Sequence, residues 1–564
     1  MPTLAFGSYA PDTYQLDAQA TAPALLNVLP RTDGYGPVKS VIAWTQALPA
    51  RCRGLFYARA TDGSIVIFAG TATKLYKLNN TTLGWVDASL GAGTYAAMNT
   101  DENWQFIQFN NFVIAVQANA VPQVFDITSS TAFANLGGSP PQARYIAIVN
   151  RFVVLFGLTN NPFRIQWSGL NAATTWTSGI TYSDFQDLPD GGIARGVSGG
   201  DIGYILQDSA IRRMVFSPGS DIVFQIDKIG KDIGVLAPQS IVSVRSQLFF
   251  LSTSGFMRLV AGALEPVPIG EGRVSQKVLN EYDSGGLAFL QAASDPDSGT
   301  VMWTYRTKGQ SADAFDAAIV YNYVLDRWSP IMISGQYLSS IAAPGLTLEA
   351  LDAIAPGVQT ITGAVNNGAG RIRLTVGSTT GWATGDYKTI SAVVGTTEAN
   401  ATWAITVISA TQIDLNSSTF TNAYVSGGVV GGSLDLLPYS LDAVLAASLA
   451  NLAFATTTNA VGYMTGNTLE ATLETGEQSG DGQRLLVRGF KVISDAPTVY
   501  GSVSKREQIS DPITYTNESL MNPRGFVPQL RSTMYSRAKI RVPAGTAWTF
   551  ASGVRPDVAF DGEF

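Results

Sequence analysis

The feature that most constrains this chain is a repeat. One unit recurs: a strand, a tight turn, an apolar strand, a second turn, then an alternating strand carrying an aromatic residue or a leucine. The copies are Leu55–Ala58, Ile65–Ala69 and Lys74–Leu78; Trp104–Phe109, Phe112–Val116 and Gln123–Ile127; and Tyr145–Val149, Phe152–Phe156 and Phe163–Trp167. They continue with Ile193–Val197, Ile202–Leu206 and Ile211–Phe216; Ile241–Val244, Leu248–Leu251 and Phe256–Val260; and Leu287–Ala292, Val301–Tyr305 and Ala318–Val324. A seventh, weaker copy is Leu445–Phe454, Val461–Met464 and Leu469–Leu473. Leu75, Val124, Phe163, Ile211 and Phe256 hold equivalent places and stand 49, 39, 48 and 45 residues apart. That is the period of four-stranded propeller blades. One small sheet cannot bury both faces alone, whereas a ring of sheets packed face to face can. Trp85–Ala88 and Trp328–Ile331 fit as outer, fourth strands. The expected fold is all-β: a β-propeller of six or seven blades, seven favoured, with a β-sandwich of similar hairpins as the competing architecture.

The spacing breaks once. Residues 356–433 are rich in Thr, Gly and Ala and carry strands of their own, which suggests a small β-domain inserted in a surface loop. Past Gly480-Asp481-Gly482, the strands Leu485–Val492, Thr498–Val503, Ala538–Val542 and Ala547–Phe550 suggest a C-terminal β-sandwich-like domain. The expected division is an extended N-terminal arm (1–50), the propeller (51–355 and 434–480), the insert (356–433) and the C-terminal domain (481–564). Met1–Tyr14 has no basic residue and no apolar run, so no secretory leader is expected there. Ala443–Leu469 is free of charge but alternates, so no membrane span is expected either.

Composition excludes several chemistries. There is no histidine, hence no Ser-His-Asp triad and no histidine base or metal ligand. One cysteine allows no internal disulfide and no cysteine-rich zinc site. Lys+Arg 36 against Asp+Glu 43, a net charge of −7, argues against wrapping nucleic acid. Charged residues make up only 14% and apolar ones 46%, which argues against disorder.

The remaining candidates for chemistry have plain structural explanations. Gly196-Val197-Ser198-Gly199-Gly200 fits the G-x-S-x-G elbow, but it falls in a hairpin and has no histidine to serve it. Asp295-Pro296-Asp297-Ser298-Gly299 resembles a calcium-loop fragment without its closing acid, and turn residues explain it. It also lies near the aspartate box of sialidase-like propellers, with Trp303 one place late. Asp184, Asp187 and Asp190, beside Phe185, could supply paired acids for glycoside hydrolysis, or form a solvated loop. Cys52 between Arg51 and Arg53 could have a lowered pKa, or be a packed thiol. No catalytic residue, metal or cofactor is assigned, and the expectation is that the chain is not an enzyme.

Several segments resemble the tail nozzle (tail hub or tail tubular) proteins of short-tailed bacteriophages. Asn27-Val28-Leu29-Pro30-Arg31-Thr32-Asp33-Gly34-Tyr35-Gly36-Pro37 resembles their N-terminal signature. Arg51-Cys52-Arg53-Gly54, followed by Phe68-Ala69-Gly70-Thr71-Ala72-Thr73-Lys74-Leu75-Tyr76, resembles their first blade. Leu469–Glu474 resembles the end of the propeller. Met521-Asn522-Pro523-Arg524-Gly525-Phe526 and Ala544–Trp548 resemble the C-terminal domain. The insert, with Thr379-Thr380-Gly381-Trp382-Ala383-Thr384-Gly385-Asp386, resembles a mobile β-module of phage structural proteins. The resemblance implies a structural virion protein, made in the host cytoplasm and assembled as a hexameric ring in the tail. Its implied partners are a portal-adaptor (head-to-tail connector) protein above and tail fibres or tailspikes at its side. It would continue the ejection channel and help retain and release the genome, with double-stranded DNA passing without specific binding. The alternative is a carbohydrate-binding or glycoside-cleaving propeller that uses the acids around Asp187.

Overall fold

The computed structural model describes residues 3–14, 21–22, 24–80, 82–220, 222–342, 358–380, 382–431, 450–480 and 482–563. Seven four-stranded antiparallel sheets form a β-propeller. Blade 1 is Leu55–Arg59, Ile65–Gly70, Leu75–Leu78 and Trp85–Asp87; blade 2 is Gln105–Phe109, Phe112–Gln117, Ala120–Asp126 and Ala134–Asn135. Blade 3 is Ala143–Val149, Phe152–Leu158, Asn161–Trp167 and Asp184–Asp187; blade 4 is Ala194–Ser198, Ile202–Gln207, Ala210–Phe216 and Phe224–Lys231. Blade 5 is Val242–Val244, Gln247–Ser252, Gly255–Val260 and Val267–Pro268; blade 6 is Gln291–Asp295, Thr300–Tyr305, Ala317–Asn322 and Arg327–Ile331.

The second strand of each blade is where the sequence runs apolar without alternation. Every residue of Phe152–Leu158 and of Thr300–Tyr305 is buried, because both faces of that strand meet a neighbouring blade. The hairpins that lead into these strands use left-handed backbone, at Asn110 (φ +55°), Asn150 (φ +56°) and the pair Arg245 and Ser246. A tight hairpin needs such angles to match the twist of its strands.

Blade 7 is assembled from distant pieces. Its strands are Tyr337–Ala342, Ala450–Ala455, Ala460–Tyr463 and, from the N-terminal region, Ile42–Ala47. Ala460 faces Ala47 and Tyr463 faces Ile42, so the start of the chain closes the ring. This corrects two expectations. The seventh repeat does not end in Leu469–Leu473; the strand Ala471–Glu474 pairs instead with Ala538–Val542 in the C-terminal domain. Nor is 1–50 a separate extended arm, since unpaired backbone polar groups are costly to bury and its described strands pair with blade 7 and the C-terminal sheets. Leu4–Ala5 pairs with Ala551–Glu563, Leu25–Leu26 with Ala471–Glu474, and the hairpin Val28–Arg31/Gly34–Pro37 extends the same C-terminal sheet.

The C-terminal domain packs two sheets face to face. One runs Phe526–Thr533, Gln483–Ser494, Ala551–Glu563, Gly34–Pro37, Val28–Arg31; the other runs Leu25–Leu26, Ala471–Glu474, Ala538–Val542, Tyr500–Lys505, Thr514–Tyr515. Val487, Phe490, Val503, Val527, Ile540 and Val554 fill the space between them. That core continues without a break into Phe249, Trp303, Tyr321 and Trp328 of blades 5 and 6.

The insert is a compact unit of its own: a closed six-stranded barrel in the order Gln359–Asn366, Ile372–Val376, Gln412–Leu415, Thr402–Ser409, Tyr387–Val394, Ser426–Val430. Ile361, Leu374, Ile390, Ile405, Ile413 and Val430 form its core. It enters the chain at the first hairpin of blade 7, where Ala342 pairs with Ala450. Pro356 and Ser433 at its expected limits, Gly381, residues 445–449 of the seventh repeat and Asp481 lie outside the described residues. Among the described residues, no helix is long and apolar enough to cross a membrane.

Candidate functional site

The catalytic candidates come apart in three dimensions. Ser198 closes the first strand of blade 4 and faces Tyr204 across a hairpin, with no helix following. Gly199 lies against the Ile148 carbonyl and Gly200 bridges to Val149, so these glycines permit close approach of two blades. Asp295 accepts from the Asp297 N–H at 3.1 Å and the Ser298 hydroxyl at 2.7 Å, which closes a hairpin turn. Trp303 is buried in the next strand, its Nε1–H donating to the Ser240 carbonyl at 3.0 Å. Among the described residues, no group of three or more Asp, Glu or Cys side chains is arranged to hold a metal ion.

The three acids of blade 3 do not share a site. Asp184 and Asp187 stand three apart on one strand, so their side chains leave opposite faces. Arg164 grips Asp187 with two bonds, 2.7 and 2.9 Å, while stacking 3.7 Å from the Phe185 ring. That guanidinium holds the Asp187 carboxyl below the usual carboxylate range, the wrong direction for a general acid. Asp184 accepts from the Ser178 hydroxyl at 2.6 Å, and Asp190 pairs with Arg212.

Cys52 is fully buried, and burial pushes its thiol up to about 12. The flanking arginines turn elsewhere. Arg51 reaches Asp313 at 2.7 Å over the Phe289 ring, and Arg53 donates to the carbonyls of Asn99 (2.6 Å) and Thr100 (3.0 Å). The possibility of a low-pKa thiol is thereby corrected: the cost of burying a thiolate outweighs the pull of Arg51.

The residues that carry the family resemblance are fasteners. The Asn27 amide donates to the Glu470 carbonyl at 2.9 Å, and its Oδ1 accepts the Met332 N–H at 2.8 Å, tying the N-terminal segment to blade 6 and to the exit of the propeller. Pro30 faces Tyr35 in the hairpin that ends at Pro37; Tyr35 is fully buried and donates to the Gly7 carbonyl at 2.6 Å. Asp33 pairs with Arg31 at 3.1 Å in the exposed turn. Gly34 (φ +139°) packs so closely on Ala551 and Ser552 that a Cβ has no room. Gly54 and Gly70 lie under Trp104 of blade 2, whose Nε1–H donates to the Thr71 carbonyl at 2.8 Å. Leu75 and Tyr76 are buried in the third strand of blade 1. Asn522 Oδ1 accepts the N–H groups of Arg524 (3.0 Å) and Phe526 (3.1 Å) around Gly525 (φ +76°), which locks a hairpin turn.

Two sites escaped the sequence. The first is a small cleft where Glu102, Arg144, Tyr145, Arg195, Pro238 and Gln239, from the segments that open blades 2 to 5, enclose about 20 Å³. Glu102 meets Arg144 there at 3.0 Å, and Arg195 reaches out to Asp208 at 2.5 Å, so the cleft has room for about one water, which needs ~10–15 Å³. The second is a buried ionic network in the C-terminal domain. Glu477 meets Arg506 at 3.0 Å and Arg537 at 3.6 Å, Glu474 meets Arg537 at 3.4 Å, and Tyr14 donates to Glu477 at 2.6 Å. Burial pushes the Glu474 carboxyl above its usual range despite Arg537 and a bond from Tyr515. These charges lie on segments that meet only in the folded domain, and no spacing in the chain announces them.

No protein-family model matches the chain, and no curated protein matches it. Among solved structures it is similar to the extracellular domain of a putative hybrid two-component system of B. thetaiotaomicron, at 9% identity over 79% of this chain and 51% of that one (TM-score 0.35). A quinonprotein alcohol dehydrogenase-like protein of Bacteroides thetaiotaomicron matches at 13% identity over 50% of this chain and 66% of that one (TM-score 0.31). The chain thus spans about half the length of the first and two thirds of the second. Likeness of this order carries no argument; the seven sheets themselves carry the fold.

Proposed function

We propose that this chain is a structural protein of a bacteriophage virion, the nozzle or hub of a short tail, built as a ring of six copies. It is made in the host cytoplasm and ends in the tail, below a portal-adaptor protein and beside fibres or spikes. It has no reaction to perform: it continues the channel for DNA and helps retain and release the genome.

The observation that carries the reading is where the resembling residues fall. Asn27, Tyr35, Gly54, Gly70 and Asn522 sit at joints or turns that weld the N-terminal segment, the blades and the C-terminal domain into one body. Such residues suit a subunit that must stay rigid while DNA passes. A charge of −7 per copy gives a ring that repels the DNA backbone rather than gripping it.

Electron microscopy of purified virions and of the purified protein tests this. A six-fold ring at the distal end of a short tail is expected, together with negligible salt-dependent affinity for duplex DNA. A monomer that cleaves glycans and loses that activity on Asp187→Asn overturns it.

A further inference from the structure

The C-terminal domain divides its cations into paired and unpaired ones. Arg484, Arg488, Arg506, Arg537 and Arg541 each have a carboxylate within 4 Å. Six others have no ion pair with a described residue: Lys505, Arg531 and Lys539 are half-buried, whereas Lys491, Arg524 and Arg555 are exposed. Lys491 and Arg555 stand directly opposite each other on adjacent strands, both exposed, and like charges so placed repel. Arg524 is held out in the adjoining turn by Asn522, and the space above Gly525 in that turn is lined by the Lys491 stem, 3.6 Å from where a Cβ would stand. None of the three has an ion pair with a described residue. Lys491 and Arg555 line a groove of about 320 Å³ whose other walls are Val492, Ile493, Ser494 and Phe550.

Like charges directly opposite each other are destabilising, and an acidic partner docked over them relieves that cost. Three free cations are too few to hold a polyphosphate in place, since proteins that bind DNA through its backbone use ~6–10 phosphate contacts. The rest of the chain also repels one: residues 481–564 carry 11 Lys+Arg against 8 Asp+Glu, a net of +3, whereas residues 1–480 carry 25 against 35, a net of −10. A mixed basic and apolar groove fits an acidic, partly apolar protein surface, and the chain displays one. At the outer edge of blade 5, Leu264 (66% exposed) and Val267 (51% exposed) accompany Glu265 and Glu271, both exposed and in no ion pair with a described residue. Arg273 beside them is neutralised by Asp326 at 2.9 Å, and Arg258 on the strand inside is half-buried.

We infer that the Lys491–Arg524–Arg555 face docks the blade 5 edge of a second copy of this chain. Two different patches meet, so the contact is head-to-tail and propagates into a closed ring. The inference rests on the ring reading above and names the surfaces that build it.

Sedimentation velocity over a range of protein and salt concentrations tests it. The wild-type chain is expected to self-associate, less so at high salt. Lys491→Glu with Arg555→Glu is expected to weaken association at least tenfold, and so is Glu265→Lys with Glu271→Lys; all four changes in one chain restore it. Lys491→Glu alone places opposite charges across the strands, so its melting temperature holds or rises while association falls, a combination that misfolding cannot produce. A wild-type chain that stays monomeric, reversal variants that associate normally, or failure of the four-fold variant to recover overturns the contact. Loss of duplex-DNA binding in the variants with association intact overturns it in favour of nucleic acid. A six-fold tail ring that still forms with the reversal variants removes this contact but leaves the nozzle reading standing; self-association with no ring on the tail does the reverse.

Discussion

A Cβ on Gly54 would lie 2.7 Å from the Cβ of Trp104, so the first blade can meet the second only with glycine at that position. Phe106 closes the same space from the other side at 2.9 Å. Gly54→Ala therefore overpacks the joint and is expected to cost about 1–3 kcal/mol. Gly137→Ala, with only Thr174 side-chain atoms at 3.6 Å and beyond, is expected to stay within about 0.5 kcal/mol. Urea unfolding followed by tryptophan fluorescence separates the two. Equal stabilities would remove the steric reading of the Arg51–Gly54 segment.

The ring closes through Ile42–Ala47, where Trp44 packs 5.6 Å from Tyr463. Removing residues 1–47 takes away the fourth strand of blade 7, baring the edge of Ala460–Tyr463, together with the edge strands Leu4–Ala5, Leu25–Leu26 and Val28–Pro37 of the C-terminal sheets. Limited proteolysis is expected to cut the truncated chain first within residues 450–463, at protease levels that leave the full chain whole. A truncated propeller as resistant as the full chain would show that closure does not need this strand.

Arg537 is the hub of the buried network, 8% exposed between Glu474 and Glu477. Arg537→Met leaves the buried Glu474 without its arginine and Glu477 with Arg506 alone. The expected loss is about 3–5 kcal/mol, because breaking a buried pair strands its partner. Arg537→Met combined with Glu474→Gln is expected to recover part of that loss. Chemical denaturation of the three proteins measures the coupling, and strict additivity would mean the charges act independently.

In the insert, Arg373 grips Asp414 at 2.6 and 2.9 Å, with Asn367 adding a third bond at 2.9 Å. The guanidinium lowers the Asp414 pKa below its usual value. A carboxyl whose folded pKa is depressed contributes stability above its unfolded pKa, about 3.9, and loses it as pH falls through the lowered folded value. Hydrogen exchange in Ile372–Val376 is thus expected to be slow at neutral pH and to lose protection, relative to the intrinsic rate, below about pH 4. Asp414→Asn is expected to abolish that dependence. An unchanged profile in the variant would assign the acid sensitivity to another group.

Much of the architecture was legible because a blade is a local object. In blades 1 to 6 every strand pairs with its neighbour in sequence, so alternation, apolar second strands and turn residues such as Asn110 and Asn150 suffice to read them. Blade 7 was not legible, because its strands come from 42–47, 337–342 and 450–463 and a strand pattern does not say what it pairs with. The same limit applied at the sites. Asp184, Asp187 and Asp190 read as a cluster along the chain, yet the pleat sends Asp184 and Asp187 to opposite faces and each acid is answered by its own partner.

By itself, the amino-acid order determined the class of fold, the blade period, the presence of an insert and the chemistries that absent histidine and a single cysteine forbid. Tertiary structure alone decided that the described strands of the first fifty residues are woven into blade 7 and the C-terminal sheets, that Cys52 is silent, and that Lys491 stands against Arg555. The physical reason is range. Periodicity and turn chemistry act over a few residues, whereas strand closure, burial and the company of charges depend on groups hundreds of residues apart that only the folded chain brings together.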